Sequence, residues 1–206
     1  MALATYSDLK TTIANYLARS DLTSQIPDFI TLAENRLRRD LRTRKMLKLS
    51  TLSVIANDST VAIPSDFLGL RDLYLATTPA TPLQYLNPSN FVRNARITDT
   101  GIPKQYTTLD TEFKFAPIPD TNYSAPLLYY GAPPYLSDSN TSNVFLVNYP
   151  DALIYASLGE AEPYLMNDER LATWAALYQR AIDSITTSDE GDEYSAAPLA
   201  MTLATR

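Results

Sequence analysis

Asn148–Ile185, NYPDALIYASLGEAEPYLMNDERLATWAALYQRAIDSI, is the stretch whose period decides the fold. Pro150 suits a first helical turn, where its missing N–H costs nothing. Leu153, Ala156, Leu158 and Ala161 then keep to one helical side, with Ile154 and Tyr155 widening the stripe. Asn167 reads as the N-cap of a second helix, with Asp168 and Glu169 in its first turn, where acid suits the helix dipole. Leu171, Trp174, Ala175, Tyr178, Ala181, Ile182 and Ile185 recur at three- and four-residue steps. Helices this close in sequence lie side by side as a hairpin. Neither face is buried by the hairpin alone, so it needs a partner.

The N-terminal segment supplies one. Thr5-x-x-Asp8 has the form of a capping box, and Leu9, Ile13 and Leu17 step along one face. Ser20–Ser24 is a break holding Asp21 and Thr23 as capping candidates, and Pro27 fits an early turn of the next helix. Ile26, Phe29, Ile30, Ala33, Leu37 and Leu41 mark its apolar stripe. Arg36, Arg38, Arg39, Arg42, Arg44, Lys45 and Lys48 occupy several helical angles, which predicts a basic rim.

Between the two hairpins the period changes to two. Leu49, Thr51, Ser53 and Ile55 point one way while Ser50, Leu52 and Val54 point the other, and Asn57-Asp58 turns the chain into Thr60–Ile63. Pro64-Ser65-Asp66 ends that strand and opens a single helical turn at Phe67. Arg71–Ala76 is a third strand, Thr77–Pro82 a loop, and Asn87-Pro88-Ser89 the start of a short helix. Gln105–Leu109 and Glu112–Phe115 form a hairpin across Asp110-Thr111, and Ala125–Tyr130 is the last strand. These six strands predict a small antiparallel sandwich or barrel.

The expected fold is therefore α+β. Helical hairpins at 1–48 and 148–186 form a bundle, 49–147 is an inserted β-rich domain, and 187–206 is an extended arm. Thr186–Glu193 is polar and Tyr194–Arg206 mildly apolar, without a clear period, as expected of a segment that orders on a partner.

Composition narrows the chemistry. The 206 residues include no Cys and no His, which removes disulfides, ordinary zinc sites and every Ser-His-Asp or Cys-His mechanism. Five glycines leave no phosphate-cradling loop. Glu160/Glu162 and Asp168-Glu169 are carboxylate pairs, but helix starts and polar faces explain them better than acid–base chemistry. No enzyme activity, cofactor or metal is expected. No apolar run is long enough to span a membrane. The net charge of −6 conceals a basic end at Arg36–Lys48, with seven of the 17 cations, and an acidic end after Asp138. Opposed charged ends suit contacts between copies or with two different neighbours. A competing reading makes the β insert a carbohydrate-binding module with Tyr123, Tyr129, Tyr130 and Tyr135 as stacking platforms.

Several short runs in order carry a resemblance. They are Ile26-Pro27-Asp28-Phe29-Ile30 running into Ala33-Glu34-Asn35-Arg36-Leu37, and Ile63-Pro64-Ser65-Asp66-Phe67-Leu68. Gly101-Ile102-Pro103 with Tyr106, Ala116-Pro117-Ile118-Pro119 and Tyr149-Pro150-Asp151-Ala152-Leu153 follow. In this order, over nearly the whole chain, they resemble the head–tail adaptor proteins of short-tailed bacteriophages, the group that includes tail tubular protein A.

The resemblance implies a structural virion protein at the head–tail junction. It would form a ring, expected to be dodecameric, between the portal protein and the tail nozzle protein, often with tail fibres attached. The ring would continue the DNA channel. On that reading Arg36, Arg38, Arg39, Arg42, Arg44, Lys45 and Lys48 face the channel or a partner and touch passing DNA without sequence preference. Glu160, Glu162, Asp168 and Glu169 would meet a neighbour's basic face, closing the ring by a heterologous contact. Tyr194, Pro198, Leu199, Met201 and Leu203 would dock in grooves of the portal.

Overall fold

A computed structural model describes residues 3–166 and 168–194 of the chain. It begins with helices α1 (Tyr6–Leu17) and α2 (Ile26–Asp40), then a tight 3-10 turn, Arg44–Met46. Strands β1 (Leu47–Val54), β2 (Thr60–Ala62), β3 (Phe67–Leu75), β4 (Thr81–Pro82) and β5 (Gln84–Tyr85) follow, and then α3 (Pro88–Asn94). Next come β6 (Thr100–Gly101), β7 (Gln105–Leu109), β8 (Glu112–Ala116), β9 (Ile118–Pro119) and β10 (Tyr123–Gly131). Helices α4 (Val144–Asn148), α5 (Pro150–Leu165) and α6 (Asp168–Tyr194) complete the described chain. The fold is α+β and divides into two compact units. The helical unit comprises the segment up to Met46 and the segment from Pro133 onward, and the β unit is Leu47–Ala132.

The β unit is built from two four-stranded sheets, in the orders β1-β10-β3-β4 and β2-β8-β7-β5. Leu52, Val54, Leu73, Leu75, Ala125, Leu127 and Tyr129 from the first sheet share one apolar cluster with Tyr106, Phe113 and Phe115 from the second. Alternation in β1 is as the sequence predicts, with Leu52 and Val54 buried and Leu49 72% exposed. Asp110 makes the β7–β8 turn at φ 51, a left-handed conformation that Asp tolerates. The sheets do not close into a barrel, so of the two expected forms the sandwich is the one found. Three differences from expectation concern short elements. Thr81–Pro82, expected within a loop, pairs with β3 as β4. Phe67 begins β3 instead of a helical turn, and it packs edge-on against Phe113 and stacks on Tyr129. The pairs β5–β7 and β6–β9 are parallel.

In the helical unit the capping box at α1 is formed. Asp8 N–H donates to Thr5 Oγ1 at 3.2 Å, and Thr5 N–H donates to Asp8 Oδ2 at 3.0 Å. Asp21 and Thr23 do not cap α2, which starts after Gln25 without a side-chain cap. Asp21 is instead held by Arg19 at 2.5 Å, and that hydrogen bond lowers its carboxyl to about 2. The apolar faces of α1, α2 and α5 meet through Leu9, Ile13, Ile30, Leu37, Leu153 and Leu158, all essentially buried. Each such side chain contributes ~1.5–3 kcal/mol of burial free energy.

Helix α6 does not stop near Ile185 but continues to Tyr194, so Thr187–Tyr194 is helical where an extended arm was expected. The overshoot has an anchor: Asp189 accepts the Arg44 backbone N–H at 3.1 Å and 3.2 Å. Once a helix is nucleated, each further residue is inexpensive to add. The remainder of the expected arm, 195–206, lies outside the described residues, as does the expected N-cap Asn167.

Residues 133–147, expected in the β insert, belong to the helical unit. The reason is Glu34, a buried carboxylate on α2. It accepts the Leu136 backbone N–H at 3.1 Å and Asn143 Nδ2 at 2.6 Å. Asn143 in turn caps α4, accepting Leu146 N–H at 3.1 Å. Burial pushes the Glu34 carboxyl up, against the opposing effects of those two hydrogen bonds and of Arg38. A raised folded-state value means stability that is fully present below the ordinary carboxylate range and falls as pH rises through the folded value. Urea denaturation across that range should show this fall in the native chain and not in Glu34→Gln. Glu34→Ala, which orphans two buried donors, should cost about 2–3 kcal/mol below that range and less as pH rises through it. Equal stability of Glu34→Ala and the native chain would remove this anchor from the account.

Candidate functional site

The basic residues expected to form one surface are divided between the two units and used in different ways. Arg36 sits among three helices. Its guanidinium lies 4.2 Å from the Tyr178 ring centroid on α6 and 3.8 Å from both Asp40 and Glu160. Tyr178 is buried and donates to Asp40 Oδ2 at 2.7 Å; burial first, then that bond, raises its phenol. Arg38 lies 3.4 Å over the Tyr135 ring and donates to the Pro133 carbonyl. Arg42 donates to the carbonyls of Arg38 and Leu41 at the end of α2. Arg44 faces Asp189 at 3.5 Å, and Lys45 donates to Asn148. Lys48 belongs to the β unit, where it is paired with Asp66.

Asp66 also accepts Tyr129 Oη at 2.9 Å. Partial burial opposes ionisation there, yet the Lys48 and Tyr129 bonds hold its carboxyl below the usual range. Arg39 alone of the seven is exposed with no ion pair or hydrogen bond among the described residues. Next to Arg44 and Lys45 is a polar cavity of about 320 Å³, also lined by Asn148, Asp151, Ser184 and Asp189. Its cations are already engaged, which leaves it poorly suited to an anion.

The expected acidic face fares similarly. Glu160 is committed to Arg36. Glu162 is only 1% exposed and accepts Trp174 Nε1 at 2.8 Å, so it is an internal group and not a surface acid. Trp174 is itself wedged between Tyr16, edge-on at 6.1 Å, and Tyr155, stacked at 6.4 Å. The side chains of Asp168 and Glu169 lie outside the described ones. So do Pro198, Leu199, Met201 and Leu203 of the arm, while Tyr194 is the last residue of α6.

The tyrosines do not make a shared platform. Tyr129 is 5% exposed and part of the β core. Tyr123 donates to Asp120, which pushes its phenol up to about 12, and Tyr130 Oη accepts from Arg71 at 3.4 Å. Tyr135 belongs to the helical unit, pinned by Arg38 and donating to Asn35. Sequence reasoning overlooked two groups of residues. Exposed Tyr16, Tyr164, Met166 and Leu171 flank the α5–α6 connection and the end of α1, and Met166 is 90% exposed. Exposed Arg93, Arg96 and Lys104 lie on the β unit. Cations scattered among prolines gave no run to notice.

No described helix is long and apolar enough to cross a membrane, and no cluster of three or more metal-binding side chains occurs among the described residues. Thermal denaturation separates the structural arginines from the available one. Arg36→Ala should cost about 1–3 kcal/mol by removing a cation–π contact and exposing Tyr178 and Asp40 to repacking. Arg39→Ala should stay within about 0.5 kcal/mol of the native chain. Equal losses in the two variants would contradict this division.

The sequence matches the family model of the SU10 adaptor protein over residues 4–202. No curated relative matches the chain. The match takes in both units and most of the C-terminal segment, so it concerns the whole architecture and not one embedded module. The chain belongs to the SU10 adaptor protein family of phage structural proteins.

Proposed function

We propose that the chain is a ring-forming adaptor of the tail tubular protein A type, seated at the head–tail junction between the portal protein and the tail nozzle. The observation that carries this is the family match over residues 4–202, which spans the helical bundle, the β insert and most of the C-terminal segment. Many copies, expected to be twelve by resemblance, continue the channel through which DNA leaves. The exposed cation Arg39 and the described apolar surface at Tyr164 and Met166 are available to partners. Residues 195–206, with Pro198, Leu199, Met201 and Leu203, dock on the portal, and tail fibres attach from the side. Engagement of most of the other cations within the chain favours protein partners over DNA as their first role. A carboxylate buried at the α5–α6 contact, such as Glu162, plays no part in joining copies.

Native mass determination of the chain, alone and mixed with its cognate portal, tests this. A stable complex carrying many copies per portal is expected, and it should be lost on deletion of 195–206. Assembly that survives the deletion removes the docking role of the arm. A chain that never binds portal, at low or moderate salt, overturns the adaptor reading.

A further inference from the structure

On the β unit, three cations stand apart from those that the sequence analysis singled out. Arg93 closes α3, Arg96 follows it, and Lys104 lies between β6 and β7; all three are exposed. Arg96 and Lys104, with Gln105 and Pro117, line a cavity of about 300 Å³. Its wall is fixed by backbone bonds: Lys104 N–H to Ala116 O at 3.0 Å, Gln84 N–H to Lys104 O at 2.9 Å, and Ile118 N–H to Asp99 O at 2.8 Å. Asp99 lies 3.8 Å from Arg96 and offsets it in part. Arg93 and Lys104 have no ion pair or hydrogen bond to their side chains among the described residues. A concavity is therefore present in which Asp99 offsets Arg96 in part and Lys104 has no acid partner among the described residues.

The complementary charge is on α6. Beyond Arg180 that helix holds no cation, while Asp183 and Glu190 are exposed and sit seven residues apart, on one face. Asp189 between them is used internally by Arg44. In the sequence Asp192 and Glu193 extend the acidic run. With ~1.5 Å per residue, the 27-residue α6 is about 16 Å longer than the 16-residue α5. Its last turns run past the first turn of α5 and lie beside Arg44 and Lys45, with Asp183 and Glu190 exposed.

We propose that the Arg96–Lys104 cavity receives the acidic end of α6, at Asp183 and Glu190, from a second copy of this chain. The two surfaces are different patches present on every copy, so the contact is heterologous and propagates around a ring. It rests on the ring-forming reading above and names the surfaces that close the ring. Nucleic acid is the weaker occupant. A polyanion is held by many phosphate contacts, whereas this site offers few cations on a chain of net charge −6. One or two carboxylates on a helix match it in number. Because both surfaces are exposed, the contact weakens with salt.

A charge exchange in the full chain tests the contact. Sedimentation velocity at low salt should show self-association of the native chain. It should weaken about tenfold or more in Arg96→Glu/Lys104→Glu and likewise in Asp183→Lys/Glu190→Lys. An equimolar mixture of the two variants should regain native association, since each then offers the charge the other lacks. Unchanged melting temperatures show that both variants are folded. A native chain that stays monomeric in low salt, variants that associate like it, or a mixture without recovery each overturn the proposal. Binding of random-sequence duplex DNA that Arg96→Glu/Lys104→Glu alone abolishes, with self-association intact, overturns it in favour of nucleic acid. Portal mixing separates the two readings. Native copy number on the portal in both variants leaves the adaptor standing without this contact, whereas no portal binding by the native chain removes the adaptor itself.

Discussion

A buried carboxylate closes the helical unit. Its helices come from two parts of the chain separated by the whole of Leu47–Ala132, so nothing local holds them in register. Glu34 does this by accepting from Leu136 and Asn143 across more than a hundred residues of sequence. Its burial is costly for an ionised group, and the two donors offset that cost only when the returning strand of chain is in place. Asn143 passes the constraint on by capping α4, which leads directly into α5. The long-range pairing of α2 with α5 then becomes almost a consequence of where the chain re-enters.

Charge in this protein is largely spent on assembling the chain itself. Arg36 joins α2, α5 and α6 through Asp40, Glu160 and Tyr178, and Arg38 holds the re-entering segment through Tyr135 and Pro133. Trp174 Nε1 donates to Glu162 Oε1 across the α5–α6 hairpin. These groups act as rivets between helices. What is left for partners is sparser: Arg39 on α2, the apolar residues beside the α5–α6 connection, the acids late in α6, and the cations of the β unit.

The main elements were legible because local rules and burial agree in them. Thr5 with Asp8, Pro27, Asn87 and Pro150 mark helix starts, and the alternation of Leu52 and Val54 with Leu49 and Thr51 marks β1. Other features depend on residues far away in sequence. Helix α4 is too short to show a period, and its cap is oriented by Glu34. The two-residue strands exist only through their partners. The last turns of α6 were read as non-helical from composition, while Arg44 provides the anchor that composition does not contain. The basic cluster was visible as charge, but whether an arginine meets solvent or a tyrosine ring is decided by packing.

Membership of the SU10 adaptor protein family makes the chain a phage structural adaptor. Electron cryomicroscopy of the chain bound to its cognate portal would test the central claim most directly. The account predicts a closed ring of copies, coaxial with the portal and leaving the channel open. Isolated copies scattered on the side of the portal, or a ring that blocks the channel, would contradict it.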